Sequence, residues 1–130
     1  KDHEFTDMNA VPLRAIAKQR YVDRLHCEFR HEIIRLYEAE ALELDVAFCS
    51  QREDWIQSMI RDGMGVSVIP RFSLLRPELD YRPIIEPSLS RRVEFAVAEH
   101  STVSASLDMF VKHVDNHDWS DEDQSLANIA

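Results

Sequence analysis

The 130-residue sequence predicts an α/β fold in which a mixed, mostly parallel sheet is flanked by helices. Two apolar patterns alternate along it: apolar residues at every second position, typical of strands, and apolar residues three or four positions apart, typical of helices. From residue 20 onward their order is strand, helix, strand, helix, strand. Strands that alternate with helices favour parallel pairing, so these two observations indicate one helix-covered parallel sheet.

The first elements follow from local patterns. A short helix is expected near Pro12, because proline suits the first helical turn. Residues 20–25 (RYVDRL) and 43–49 (ELDVAFC) are predicted strands. A helix is predicted between them, from about Glu28 to Ala41. Its apolar stripe consists of Phe29, Ile33, Leu36 and Tyr37.

Both glycines of the chain lie in a predicted joint between a helix and a strand. Ser50 and Glu53 have the spacing of a capping box, which opens a helix. The apolar stripe of that helix is Trp55, Ile56, Met59 and Ile60. Gly63 is placed to close the helix at positive φ, and Gly65 to turn the chain into the strand VSVI. Pro70 then ends the strand, because it lacks a backbone donor.

The last third of the sequence predicts two further strands, at residues 79–84 and 91–99, separated by a turn at 86–90. A final helix is predicted from Ser104 to His117. Its apolar face is formed by Leu107, Phe110, Val111 and Val114. An uncovered apolar face of this kind promotes association, so we expect the chain to form a homo-oligomer, to exchange this helix with a neighbouring copy, or to repack it.

The composition and the motifs of the sequence argue against several classes of function. The chain has 24 acidic and 15 basic residues and a net charge of −9, so direct binding of DNA or RNA by this piece is not expected. No apolar run approaches the ~20 residues of a membrane helix, and no membrane partner is expected. The sequence contains no nucleophile elbow, phosphate loop or HExxH motif, so we expect no enzyme activity, cofactor or metal site. Cys27 and Cys49 are expected to be reduced thiols of a cytoplasmic protein.

One block of sequence is specific enough to suggest a family. SQREDWIQSMIRDGMGVSVIP, residues 50–70, resembles the helix and strand of the effector-binding domain of LysR-type transcriptional regulators. DHEFTDMNAVPLRAIAKQRYVD, YRPIIEPSLSRRVEFAV and LDMFVKHV resemble its neighbouring segments, and together they cover about residues 3–117. Relative to the family, the sequence has no winged helix-turn-helix, linker helix or first half of the effector domain. A small residue is also missing before the first glycine of DGMG.

The resemblance implies a Rossmann-like fold of the periplasmic-binding-protein type II class. It assigns residues 1–92 to the second subdomain, 93–118 to a closing strand and helix that return to the first, and 119–130 to an acidic tail, expected to be disordered. It implies that the chain is a regulatory fragment that binds a small anionic or aromatic effector. DNA would be contacted only through the helix-turn-helix domain that this sequence does not include.

Candidate effector-binding residues follow the carboxyl ends of two predicted strands, where ligands bind in open α/β sheets. They are His26, Cys27, Glu28, Phe29, Cys49 and Ser50. Several have a structural alternative. Ser50 would serve as a helix cap, Phe29 and Cys49 as packed residues, and His26 as a surface residue without a task.

Two other functions stay open at this point. A solute-binding protein of a transport system would share the fold. A redox sensor of the LysR family would use Cys27, since a thiol at a helix N-terminus becomes reactive. Peroxide-sensing relatives carry a resolving cysteine in the following helix, but Leu36 stands nine residues after Cys27 here. Only Cys49 would then be available as a partner.

Overall fold

The computed structural model describes residues 3–90, 93–97 and 104–119. The chain divides into two compact units, Lys1–Leu89 and Ser90–Ala130.

The first unit contains four strands, three α-helices and two short 3-10 helices in its described residues. In chain order they are a 3-10 helix Glu4–Asp7, β1 Val11–Pro12, α1 Leu13–Ile16, β2 Arg20–Arg24, α2 Arg30–Ala39, β3 Asp45–Ser50, α3 Glu53–Arg61, a 3-10 helix Arg71–Ser73 and β4 Ile84–Ile85. The alternation of strands and helices predicted from residue 20 is therefore confirmed up to α3.

All the pairings between the described strands are parallel. β2 pairs with β3 from Arg20↔Asp45 to Arg24↔Ser50, with one register shift between Tyr21 and Val22. On its other side β2 makes a single parallel bridge, from Tyr21 to Val66. β1 pairs with β4 in a separate two-stranded sheet. The predicted α/β class with parallel strands flanked by helices is confirmed.

The two longer helices cover opposite faces of β2. Adjacent residues of a strand point to opposite faces. Asp23 accepts hydrogen bonds from Arg30 of α2, whereas Arg24 donates to Glu53 of α3. Val22, which points to the same face as Arg24, is fully buried. The first unit is therefore layered, with β2 between α2 and α3.

The core of the first unit lies on the α2 side. Its buried members are Val11, Leu13, Ile16, Tyr21, Ile33, Tyr37 and Val68. The Tyr37 hydroxyl donates to the backbone oxygen of Leu13 at 2.9 Å, which satisfies its polar atom inside the apolar cluster. This bond fixes α2 against the short helix α1.

The helix joint around the two glycines forms as predicted, but for two different reasons. Gly63 has φ +80°, and Gly63 N and Met64 N donate to Ile60 O and Met59 O. That pair of bonds is a Schellman closure of α3. Gly65 instead allows close approach of two backbones, because a Cβ there would lie 2.2 Å from the Arg20 oxygen.

The predicted capping box is wrong. α3 begins after Arg52, and no side chain caps it. The Ser50 hydroxyl accepts from Arg52 N at 3.0 Å rather than from Glu53 N. The Glu53 carboxylate accepts from Arg24, 29 residues earlier in the chain, and from Gln57. An ion pair between distant segments thus replaces the local reciprocal cap.

Several predicted strands are shorter than expected. VSVI contributes only the bridge at Val66, and the strand predicted at 79–84 is reduced to β4, Ile84–Ile85. In the strand predicted at 91–99, the described residues 93–97 are all exposed and are not in a strand. The described part of the second unit offers them no strand edge to pair with. α2 is also about two residues shorter at each end than predicted.

The second unit contains α4, Ala105–Asn116, as the sequence predicts. Ser104 caps it by accepting from Leu107 N at 3.2 Å. No residue of α4 is buried, and Phe110 is 51% exposed with its ring against that of Phe95. The acidic tail predicted at 119–130 lies outside the described residues, apart from Trp119.

Candidate functional site

The parallel arrangement brings the two predicted binding segments together. β2 ends at Arg24 and β3 at Ser50, and these two residues are partners in the register. Leu25 N donates to Ser50 O at 3.0 Å, which joins the loops that follow the two strands. We call this region, residues 25–29 and 49–52, the carboxyl edge.

The candidate residues differ in how they are placed at this edge. His26, Glu28 and Cys49 are exposed, and Ser50 is half-buried. Cys27 is only 8% exposed, and Phe29 packs against the core of the first unit. The structure therefore places His26, Glu28, Cys49 and Ser50 where a ligand could reach them, and it turns Cys27 and Phe29 inward.

Cys27 faces a cavity of about 210 Å³ between α2 and the sheet rather than the carboxyl edge. Its lining includes the apolar side chains of Ile33 from α2 and Val46 from β3. Both cysteines are free thiols. The Cys27 sulfur accepts from the guanidinium of Arg24 at 3.3 Å, so its packing is tied to that arginine.

Arg24 is the organising side chain beneath the edge, and sequence reasoning missed it. Its Nε and Nη2 bind the Glu53 carboxylate at 2.8 and 2.7 Å. Its Nη1 lies 3.3 Å from both the Cys27 sulfur and the Val68 oxygen. One arginine that is 9% exposed thus links the end of β2, the start of α3 and the segment after Val66. Charged residues in strands are mostly exposed, so the sequence pattern around Arg24 gives no indication that this side chain is buried.

A second missed residue is Gln57, which is fully buried. Its amide nitrogen donates to Glu53 and to Ser73 O at 2.8 and 2.9 Å. Its amide oxygen accepts from Leu75 N at 2.8 Å. Gln57 therefore holds the loop after Pro70 against α3, using all but one of the bonds its amide can make.

Two helices begin at the carboxyl edge, and neither has a side-chain cap. The N-cap residues are Phe29 for α2 and Arg52 for α3, and neither makes a side-chain capping bond. The first N–H groups of a helix have no partner within the helix and carry the positive end of its dipole. Their presence at one edge is suited to a negatively charged ligand group.

The charged side chains at the edge are mostly paired. Arg30 forms a bidentate bridge to Asp23, and the bond to this carboxylate raises the pKa of Arg30. Arg52 pairs with Asp54 at 2.6 Å, and that hydrogen bond lowers the pKa of Asp54. Backbone N–H groups and neutral side chains, rather than unpaired arginines, are therefore the donors that the edge offers.

No group of three or more His, Cys, Asp or Glu residues that could hold a metal ion occurs in the described parts of the chain. No helix among those residues is long and apolar enough to cross a membrane.

Comparison with known proteins identifies the family. The model of the LysR substrate binding domain matches residues 1–119. The chain belongs to the LysR substrate-binding domain family. It is therefore an effector-binding regulatory domain of the kind found in LysR-family transcriptional regulators, which are not enzymes.

A solved structure supports the fold of this LysR domain. The chain is similar to HinK, a LysR family transcriptional regulator from Pseudomonas aeruginosa, with a TM-score of 0.58 and 18% sequence identity. The similarity covers 86% of this chain and 40% of HinK, so the chain spans less than half the length of that regulator. No curated protein matches the sequence.

Proposed function

We propose that the carboxyl edge of this LysR domain binds a small anionic effector, and that the longer regulator changes its DNA binding in response. The observation that carries the proposal is the meeting of two helix N-termini without side-chain caps at one sheet edge. A helix N-terminus offers backbone N–H groups and the positive end of a helix dipole to a ligand group. Of the first N–H groups of α2, that of Arg30 already donates to Cys27 O, and the first turn of α3 carries Glu53 and Asp54. An effector acid group would be bound there without a dedicated arginine.

Ser50 is the residue that would contact the effector most directly. Its hydroxyl accepts from Arg52 N, and its hydroxyl hydrogen can donate to a second group. A carboxylate placed at the edge would accept that hydrogen together with backbone N–H groups. His26 is exposed beside it and would contact the body of the same ligand.

Regulation would follow from differential binding. A ligand shifts a conformational equilibrium only when it binds one state better than the other. An effector held at this edge would favour the state in which a second part of the regulator closes over it. Closure would then change the position of the DNA-reading domain within a cytoplasmic oligomer. The solute-binding alternative shares the fold, but the family match favours the regulator.

The test uses benzoate as an anionic probe and benzamide as its neutral counterpart, with binding measured by calorimetry. We expect benzoate to bind more tightly than benzamide. We expect Ser50→Ala to weaken benzoate binding about tenfold, since a hydrogen bond to a charged group contributes about 1.5 kcal/mol or more. Ser58→Ala is the matched control, because Ser58 bonds Asp54 O within α3.

Two results would contradict the proposal. The first is equal binding of the two probes, and the second is equal loss of affinity in both serine variants. Regulation needs a separate measurement on the full-length regulator, whose affinity for its promoter should change when the bound anion is added.

A further inference from the structure

The end of α4 carries two histidines with the spacing of a metal-binding pair. His113 and His117 are four residues apart, and both are exposed. Residues at i and i+4 lie on one face of a helix. Their ring centroids are 6.4 Å apart and their planes are tilted by 39°. Both imidazoles therefore point to the same side of the helix end.

Little movement is needed for both rings to bind one ion. Zn–N bonds of about 2.0–2.1 Å place two imidazole centres about 5 Å apart in a tetrahedral site. The observed separation of 6.4 Å exceeds this by a small side-chain rotation. Imidazole nitrogen is a preferred ligand of Zn²⁺, Ni²⁺ and Cu²⁺.

The surroundings of the pair also favour a cation. The segment around His117 contains Asp115 and Asp118, and the chain as a whole has a net charge of −9. A negative field raises the local concentration of cations. Lys112, the nearest basic side chain in sequence, is paired with Asp108 at 2.7 Å.

Trp119 provides a fluorescent reporter beside the two histidines. Its ring lies edge-on to that of His117, with centroids 4.3 Å apart. Its indole N–H donates to Val114 O at 3.2 Å, which fixes the ring beside the helix end. An ion bound to His117 would lie close to this indole and change its fluorescence.

We propose that His113 and His117 form a surface site for a divalent transition-metal ion, Cu²⁺, Ni²⁺ or Zn²⁺. The described residues supply two protein ligands, and water completes the coordination. A metal ion bound by both histidines would hold the last turn of α4 in its helical conformation, because His117 is the C-cap residue of this helix. The bound ion would stabilise this end of the helix by mass action.

The experiment is a titration of the purified chain with Ni²⁺ in a Trp55→Phe background, which leaves Trp119 as the single indole of the chain. We expect saturable quenching that is reversed by a chelator. Cu²⁺ should bind more tightly than Ni²⁺, and Mg²⁺ should have no effect.

Variants separate this site from other histidines. His113→Ala and His117→Ala should each weaken Ni²⁺ binding by about tenfold or more, since loss of even an outer-shell partner costs 10- to 100-fold. His3→Ala and His31→Ala are matched controls and should leave quenching unchanged. Circular dichroism should show that the variants remain folded. Absence of saturable quenching, or equal quenching in the His113→Ala variant, would overturn the proposal.

Discussion

Replacing Gly65 with alanine should destabilise the first unit more than the same exchange at Gly63, the other glycine of this chain. A Cβ at Gly65 would lie 2.2 Å from the Arg20 carbonyl oxygen and 2.8 Å from its carbon. Because both atoms belong to the backbone of β2, no side-chain rotation can relieve the collision. The segment around Val66 would have to move away from the strand.

The magnitude follows from the bonds that this movement breaks. Val66 N donates to Arg20 O at 2.9 Å, and Val22 N donates to Val66 O at 2.8 Å. Each contributes about 1 kcal/mol. Displacement of Val68, which is buried in the core, adds to the loss. We expect Gly65→Ala to lower the free energy of unfolding by about 3 kcal/mol, a large part of the roughly 5–15 kcal/mol typical of a domain.

Gly63→Ala is the informative control. Gly63 has φ +80°, but apart from the glycine itself and its two chain neighbours no atom of the described residues lies within 4 Å of the position that an added Cβ would take. A left-handed alanine costs about 1–2 kcal/mol, partly offset by the smaller entropy of the unfolded chain. Urea unfolding of the two variants gives the comparison, provided that the slope with urea is unchanged. A larger loss in Gly63→Ala than in Gly65→Ala would refute the close-approach explanation.

Four further outcomes are expected. Gln57→Leu should lower the free energy of unfolding by about 2–3 kcal/mol in urea, because Ser73 O and Leu75 N lose the part-buried hydrogen bonds that they form with Gln57, each contributing about 1 kcal/mol. Burial raises the pKa of Tyr21 from 10.0 to about 12, so the contribution of Tyr21 to stability should be complete below pH ~10 and fall by about 1.4 kcal/mol per unit up to about pH 12. Tyr21→Phe should remove that part of the loss and leave the part due to Tyr37, whose pKa is also raised by burial. Cys49, which is exposed, should react with a thiol reagent before the buried Cys27 does, and two unchanged thiols after mild peroxide would exclude the redox-sensing alternative. Phe110→Ser should reduce self-association of the chain in light scattering if the exposed face of α4 mediates it.

The sequence predicts the elements whose patterns are local. β2, β3, α3 and α4 have periodic apolar residues, and the closure of α3 at Gly63 needs only the glycine and its neighbours. The carboxyl edge was also predictable, because parallel strands end at the same side of a sheet. By contrast, a strand needs a partner as well as a pattern. Residues 93–97 alternate correctly, but no strand among the described residues of the second unit pairs with them.

The side-chain contacts beneath the carboxyl edge could not be predicted from the sequence, because local and long-range interactions compete for the same side chains. Ser50 and Glu53 satisfy a local capping rule worth about 1 kcal/mol. Instead, the half-buried Glu53 carboxylate accepts two short charge-assisted hydrogen bonds from the guanidinium of Arg24. This ion pair offsets the cost of burying the positive charge of Arg24. The ion pair takes the Glu53 carboxylate away from the backbone N–H of Ser50. The Ser50 hydroxyl accepts from Arg52 N rather than from Glu53 N, so it does not cap the first turn of α3. The end of α3 without a side-chain cap, on which the proposed effector site depends, thus results from two contacts that the local capping rule does not include.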